Sequence, residues 1–251
     1  MADAATLRSW IARGLVAALV LLAVSWWATR RLPPPSRLDP VLRQAPLQGP
    51  TTRRPFEFAY KGKRCLVRPV ATYELWGLVV SHNDIHSVSD IYHDATSVDT
   101  RDRCVAWGAN LDGAYRNAKF WSGPFTCYVR WPPGVQIDLT AVSNNHLITD
   151  QPALRERLGT VQLGDQVHLH GLLVDYQMED WGGFWRRTST VRNDAGCEVI
   201  FLDGLDVLHR NASAAHALLQ LAVTMLALLP VAWLAVAWRE AGRGDGSLGR
   251  L

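Results

Sequence analysis

Two stretches of this chain carry no charge for longer than a soluble fold usually tolerates. Residues 14–29 form a 16-residue uncharged run, and residues 214–238 form a second of 25 residues that holds one histidine, His216, and one proline, Pro230. With Trp10, Ile11 and Ala12 ahead of it and Arg13 able to snorkel, the first run reaches about 20 residues, enough for a hydrocarbon layer of about 30 Å. Trp26, Trp27, Trp233 and Trp238 stand near the run ends, where amphipathic rings favour the headgroup level. A cleaved signal peptide is the alternative for the first run and a buried core helix for the second. Bulky Trp26-Trp27 ahead of Thr29-Arg30 makes a poor cleavage site, because processing takes small residues. A soluble core helix rarely runs 25 residues without a charge. The sequence therefore predicts transmembrane helices over 10–29 and 214–238, a Pro/Arg-rich linker over 30–55, an extramembrane β-rich domain over 56–213 and a short polar tail over 239–251.

Two spans put both termini on one side of a bilayer and the long loop on the other. Flanking charge divides evenly: Arg8, Arg13, Arg239, Arg243 and Arg250 on the terminal side, and Arg30, Arg31, Arg37, Arg43 and Arg210 on the loop side. Long loops translocate largely regardless of charge, and the second helix taken alone prefers a cytoplasmic C-terminus. The expectation is a bacterial inner-membrane protein with residues 30–213 exported.

Composition averages hide this layout. Across all 251 residues the hydrophobic share is 48% and the net charge +3. Residues 30–68 hold ten basic residues against Asp39 and Glu57, a net of +8, whereas residues 69–213 hold eleven basic against eighteen acidic, a net of −7. The basic collar suits anionic lipid headgroups, each basic residue adding about 1 kcal/mol near the surface; it equally suits a solvated linker in an arginine-rich chain. An acidic domain repels phosphate, so nucleic acid is excluded as a partner.

Six prolines (33, 34, 35, 40, 46 and 50) precede Pro55 and mark the linker as extended. Beyond residue 56 the pattern turns to strands. Residues 64–81 alternate and are rich in branched and aromatic side chains, and shorter candidates follow at 104–107, 125–131, 166–176, 187–192 and 197–201. Helical periodicity is confined to 113–121 and 152–158. In the run Gly164-Asp165-Gln166-Val167-His168-Leu169-His170-Gly171-Leu172-Leu173-Val174, a glycine interrupts an alternating strand, as it must where one strand bends to serve two sides of a small barrel. Gly77 in Leu75-Trp76-Gly77-Leu78-Val79-Val80 is its counterpart in the first strand. Over these 25 or so residues the pattern resembles that of oligonucleotide/oligosaccharide-binding (OB) barrels. The expected class is mainly β: a small OB-like barrel between two transmembrane helices.

Candidate chemistry concentrates in residues 81–94. His82, Asp84, His86 and His93 are ligand types for zinc, iron or manganese, and His82, Asp84 and His86 share one parity if the segment is extended. A divalent metal is the cofactor this cluster implies, although no established ligand spacing is matched and Asn, Asp and Ser there equally make local turns. His168 and His170 share the less apolar face of their strand. Trp181, Phe184, Trp185 and Arg186 flank Gly182-Gly183, a composition that suits a partner-binding loop. Cys65, Cys104, Cys127 and Cys197 allow up to two disulfides in an oxidising compartment and are small buried hydrophobes in a reducing one. Nothing adjacent in sequence supplies any of them with a base, so a cysteine nucleophile is not expected. The phosphate loop, the nucleophile elbow and the dinucleotide fingerprint are all missing from the sequence.

These features together predict a membrane-anchored β-domain that binds, assembles or senses at the bilayer surface. Its partners are lipid and either another protein or a second copy. The alternative is a metal-dependent enzyme or metal chaperone built on the 82–93 cluster.

Overall fold

The structure, a computed structural model, describes residues 3–83, 97–99, 102–123, 126–194 and 196–244. Its helices and strands run in the order α1 (Ala4–Thr29), β1 (Leu47–Gly49), β2 (Phe56–Tyr60), β3 (Lys63–His82), β4 (Arg103–Ala106), α2 (Ala114–Asn117), β5 (Lys119–Gly123), β6 (Thr126–Arg130), β7 (Val142–Ile148), α3 (Pro152–Gly159), β8 (Gln166–Met178), β9 (Glu198–His209) and α4 (Ser213–Gly244). Two units result, one built on α1 and α4 and one spanning residues 32–211.

Both terminal helices are long and apolar enough to cross a membrane. Asp3 caps α1 by accepting a hydrogen bond from the Thr6 amide at 2.6 Å, satisfying one of the donors a helix start leaves open. Ile11, Ala18 and Ser25, seven residues apart, are buried along it, as is Thr29 at its end, and residues at the seven-residue interval share a helix face. α1 and α4 run antiparallel: Arg8 pairs with Glu240 at 2.9 Å, and the missing side chain at Gly14 lets Leu229 come close. At the other end of α1, the Arg30 and Arg31 guanidinium groups lie over the Trp26 and Trp27 rings at 4.1 and 3.5 Å. Each such cation–ring contact is worth about 0.5–1 kcal/mol where exposed.

In the second unit, five strands pair in a ring. β3 is antiparallel to β4, β4 to β7, and β8 to both β9 and β3, while β7 and β9 are parallel. β3 can take part at both ends because it is 20 residues long and breaks register twice, at Pro69/Ala71 and at Val79/Ser81. Proline is tolerated at such a break because no ladder hydrogen bond is required of it there. Gly171 is needed for closure: a Cβ there would lie 2.1 Å from the Phe201 carbonyl oxygen, and one at Gly77 would lie 2.3 Å from Val105. β1 and β2 add to β3 outside the ring, and β5 and β6 form a separate hairpin.

Tyr73, Leu75, Val105, Leu147, Leu169 and Ile200 meet in the main apolar cluster. A second cluster gathers Leu38, Leu42, Leu78, Cys104, Leu111 and Tyr115. The proline-rich stretch expected to be an extended linker thus supplies part of a core: Leu42 is sealed from solvent, the Gln166 side chain accepts from the Asp39 amide, and the Tyr115 hydroxyl donates to the Pro33 carbonyl. Prolines fix the path of this stretch while the leucines between them dock.

Helix and strand are nearly equal, at 37% and 34%, because the terminal pair supplies most of the helix. Residues 187–192 form no strand; only Arg186 bridges to Tyr176. Residues 113–121, expected as helix, divide between one turn of α2 and strand β5. β7 has no counterpart among the expected strands.

Candidate functional site

β7 reads Val-Ser-Asn-Asn-His-Leu-Ile, and six of its seven residues are buried. Burying four polar side chains in succession costs free energy unless each finds partners. Asn145 donates to the Arg103 carbonyl at 3.0 Å and accepts from the Ser143 hydroxyl at 3.1 Å. Asn144 and His146 project from the opposite face, and there a polar cluster forms.

The β4–β7 register pairs Arg103 with Asn145, which brings Asp102 beside His146. Asp102 Oδ1 lies 2.6 Å from His146 Nδ1, and both side chains are fully buried. The β7–β9 register pairs Asn145 with Glu198, which brings Cys197 beside Asn144. Asn144 Nδ2 lies 3.5 Å from Cys197 Sγ and 3.3 Å from His146 Nε2, and Cys197 also hydrogen-bonds the imidazole. The fifth member is Arg186, whose guanidinium contacts His146 Nε2. Reciprocal backbone hydrogen bonds with Tyr176, both 2.9 Å, hold Arg186 in place, and the Ser189 amide donates to the Cys197 carbonyl at 2.9 Å.

Burial disfavours charge on His146, yet the hydrogen bonds to Asp102 and Cys197 and the Asp102 charge raise its pKa to about 9. Arg186 opposes this, both by its charge and because its N–H needs the Nε2 lone pair that protonation removes. The two neighbours therefore compete: Asp102 favours the imidazolium, and Arg186 favours the neutral ring with its proton on Nδ1. An imidazolium in this position favours the thiolate of a neighbouring thiol.

Cys197 is half-buried and opens on a cleft of about 160 Å³ lined also by Cys127, Val129, Asn144 and Glu198. Burial pushes Glu198 up to about 7 against the opposing pull of Arg192, which it meets at 2.7 Å. Arg192 also donates to the Tyr73 hydroxyl at 2.9 Å. The arrangement of a thiol, a base touching it and a carboxylate orienting that base is the geometry of a nucleophile with its activating pair.

The residues singled out from the sequence fare unequally. His82 ends β3; Asp84, His86 and His93 lie outside the described residues. Among the described residues no group of three or more His, Cys, Asp or Glu is placed to hold a metal ion. His168 stacks on Trp76 at 4.3 Å and approaches Asp206 at 3.6 Å, and His170 covers Gly204. The aromatic loop divides: Trp181 packs on Tyr176 at 5.1 Å, Trp185 lies under the Arg68 guanidinium at 3.7 Å, Phe184 is exposed, and Arg186 turns inward to His146. Cys104 and Cys127 are joined in a disulfide, Cys65 is a buried thiol pushed up to about 12 by burial and by Asp99, and Cys197 stands in the cleft. Sequence reasoning missed Asp102, Asn144 and His146. The signal that could have found them was a run of small polar residues ending in Leu147-Ile148, which only burial explains. No protein-family model, curated protein or solved structure matches this chain.

Proposed function

We propose that this protein is a binding module fixed at the surface of a bilayer and that it engages its partner covalently, through Cys197. The observation that carries the reading is the continuous contact from Asp102 to His146 to Cys197, ending at a thiol on an open cleft. α1 and α4 serve as membrane spans, so the domain is tied to the bilayer at both ends. A five-stranded ring with glycine bends supports the OB-like barrel reading. The Cys104–Cys127 disulfide supports an exported domain, since such bonds persist in oxidising compartments. The partner is a protein or lipid component carrying an electrophile, an acyl group or a disulfide, within reach of the membrane.

Rates of thiol alkylation test this. The full chain in detergent micelles is treated with iodoacetamide at pH 7, and modification at Cys197 is followed by peptide mapping. His146→Ala should slow labelling of Cys197 by about 100-fold, the scale of a lost acid–base partner to the thiolate, and Asp102→Asn by about tenfold, the scale of a lost orienting partner. Equal rates in the three folded proteins, checked by their thermal melts, would leave a binding module without thiol chemistry and defeat the proposal.

A further inference from the structure

Two of the four cysteines, Cys127 and Cys197, line this cleft, and a third, Cys104, is bonded to Cys127. Cys104 pairs across the sheet with Asn144, whose amide nitrogen lies 3.5 Å from Cys197 Sγ. Cys104, in β4, and Cys197, immediately before β9, therefore lie on either side of β7. Two strand spacings separate them by roughly 10 Å, beyond the ~7 Å that a disulfide spans without backbone movement. Cys127 is related to both: it is bonded to Cys104 with a Cα–Cα distance of 5.9 Å, and it lines the same cleft as Cys197. It belongs to the β5–β6 hairpin, which lies outside the ring and meets β3 through the Ser81–Ser122 hydroxyl contact at 2.8 Å. Cys104 is sealed from solvent, whereas Cys127 and Cys197 are half-buried.

From this placement we infer that the cleft is a thiol–disulfide exchange centre in which Cys127 is shared between Cys104 and Cys197. Cys197 releases its proton to solvent and, as a thiolate held beside the His146 imidazolium, attacks Cys127 Sγ. The Cys127–Cys197 bond forms as the Cys104–Cys127 bond breaks, and Cys104 leaves as a thiolate that takes up one proton. One thiol and one disulfide enter and one of each leave, so no oxidant is consumed. The choice of sulfur under attack follows from access, because the cleft reaches Cys127 and not Cys104. The two states differ in what they offer a partner. With Cys104–Cys127 joined, a thiol faces the cleft; with Cys127–Cys197 joined, the only thiol of the three is the buried Cys104, and the site is closed. The inference rests on the proposed function for the role of Cys197 toward a partner, but its connectivity can be tested separately.

The full chain in detergent micelles is equilibrated in a reduced/oxidised glutathione buffer, quenched with N-ethylmaleimide under denaturing conditions and mapped by mass spectrometry. In Cys104→Ala most chains should carry a Cys127–Cys197 disulfide. Finding Cys127 and Cys197 each capped with glutathione, or each alkylated, would overturn the inference. The unmutated chain provides the second measurement and does not depend on how the variant folds. Its alkylated thiol should distribute between Cys197 and Cys104, and label confined to Cys197 and Cys65 at all times would overturn the inference. If exchange occurs while alkylation of Cys197 is indifferent to His146, the exchange centre stands and the covalent-binding reading falls. If His146 governs alkylation while label never reaches Cys104, the reverse holds.

Discussion

Asp102 Oδ1 meets His146 Nδ1 at 2.6 Å where neither side chain touches solvent. Two separate chain segments create this contact: Asp102 enters β4 from the segment before it, and His146 is the fifth residue of β7. The carboxylate fixes the ring's orientation and keeps a proton on Nδ1, so any chemistry or titration falls to Nε2. That nitrogen faces Arg186, Asn144 and Cys197, one cation, one amide and one thiol.

A pH-dependent stability follows. His146 is raised to about 9 in the folded domain from an ordinary value of 6.5. A folded pKa above the unfolded one stabilises fully below the unfolded value and is lost as pH rises through the folded value. The melting temperature should therefore fall between about pH 6.5 and 9, by an amount equivalent to about 3 kcal/mol. Asp102→Asn should flatten the profile in that window and lower stability at pH 6. A wild-type profile flat from pH 6.5 to 9 would refute the assignment.

Glu198 adds a second window below the first. Burial raises this acid from 4.5 to about 7. A raised acid likewise stabilises below its unfolded pKa, and that stability is lost as pH climbs from about 4.5 to 7. Glu198→Gln should remove the loss over that range and leave the upper one in place. Calorimetry at closely spaced pH values separates the two, because the windows barely overlap.

The sequence makes the framework legible and leaves the site hidden, for a physical reason. The terminal helices are readable because apolar stretches of about 20 residues or more have few other fates, and β3 and β8 because their alternation and glycine breaks are strong local signals. β7 is unreadable by the same rule: Asn144, Asn145 and His146 look like loop, and besides the neighbouring Ser143 it is Arg103, Asp102 and Cys197, distant in sequence, that make their burial tolerable. Histidine density, the cue that drew attention to residues 82–93, is a local count. The Asp102–His146–Cys197 contact is assembled by the registers β4–β7 and β7–β9, which no local count contains.

Leu42 should behave as a core residue although it sits between prolines. Its side chain is sealed against Leu78, Leu111 and Tyr115. Leu42→Ala should destabilise the domain by about 2–5 kcal/mol, the usual cost of such a cavity. A substitution in a solvated linker would change stability by under about 0.5 kcal/mol. Urea denaturation monitored by tryptophan fluorescence distinguishes the two.

Ring closure should depend on Gly171. An added Cβ would press to within 2.1 Å of the Phe201 carbonyl oxygen, a backbone atom that cannot swing aside. Gly171→Ala should cost about 3 kcal/mol, at the upper end of overpacking effects, and lower the melting temperature by about 10 °C in a domain of this size. Gly182→Ala makes a useful comparison. Nothing lies within 4 Å of a Cβ there, although its positive φ of 58° adds modest strain. The Gly171 variant should be the less stable of the pair.

Arg186 offers the sharpest test of how His146 is governed. Its charge and its N–H both favour the neutral ring. Arg186→Gln, which keeps a donor and removes the charge, should move the His146 titration above 9, and the alkaline loss of stability should move with it. Histidine side-chain resonances followed by NMR from pH 6 to 10 read the titration directly, and melting temperatures report the linked stability. A downward shift would mean that Arg186 supports the imidazolium through some other route, and the competition between Asp102 and Arg186 for this ring would have to be abandoned.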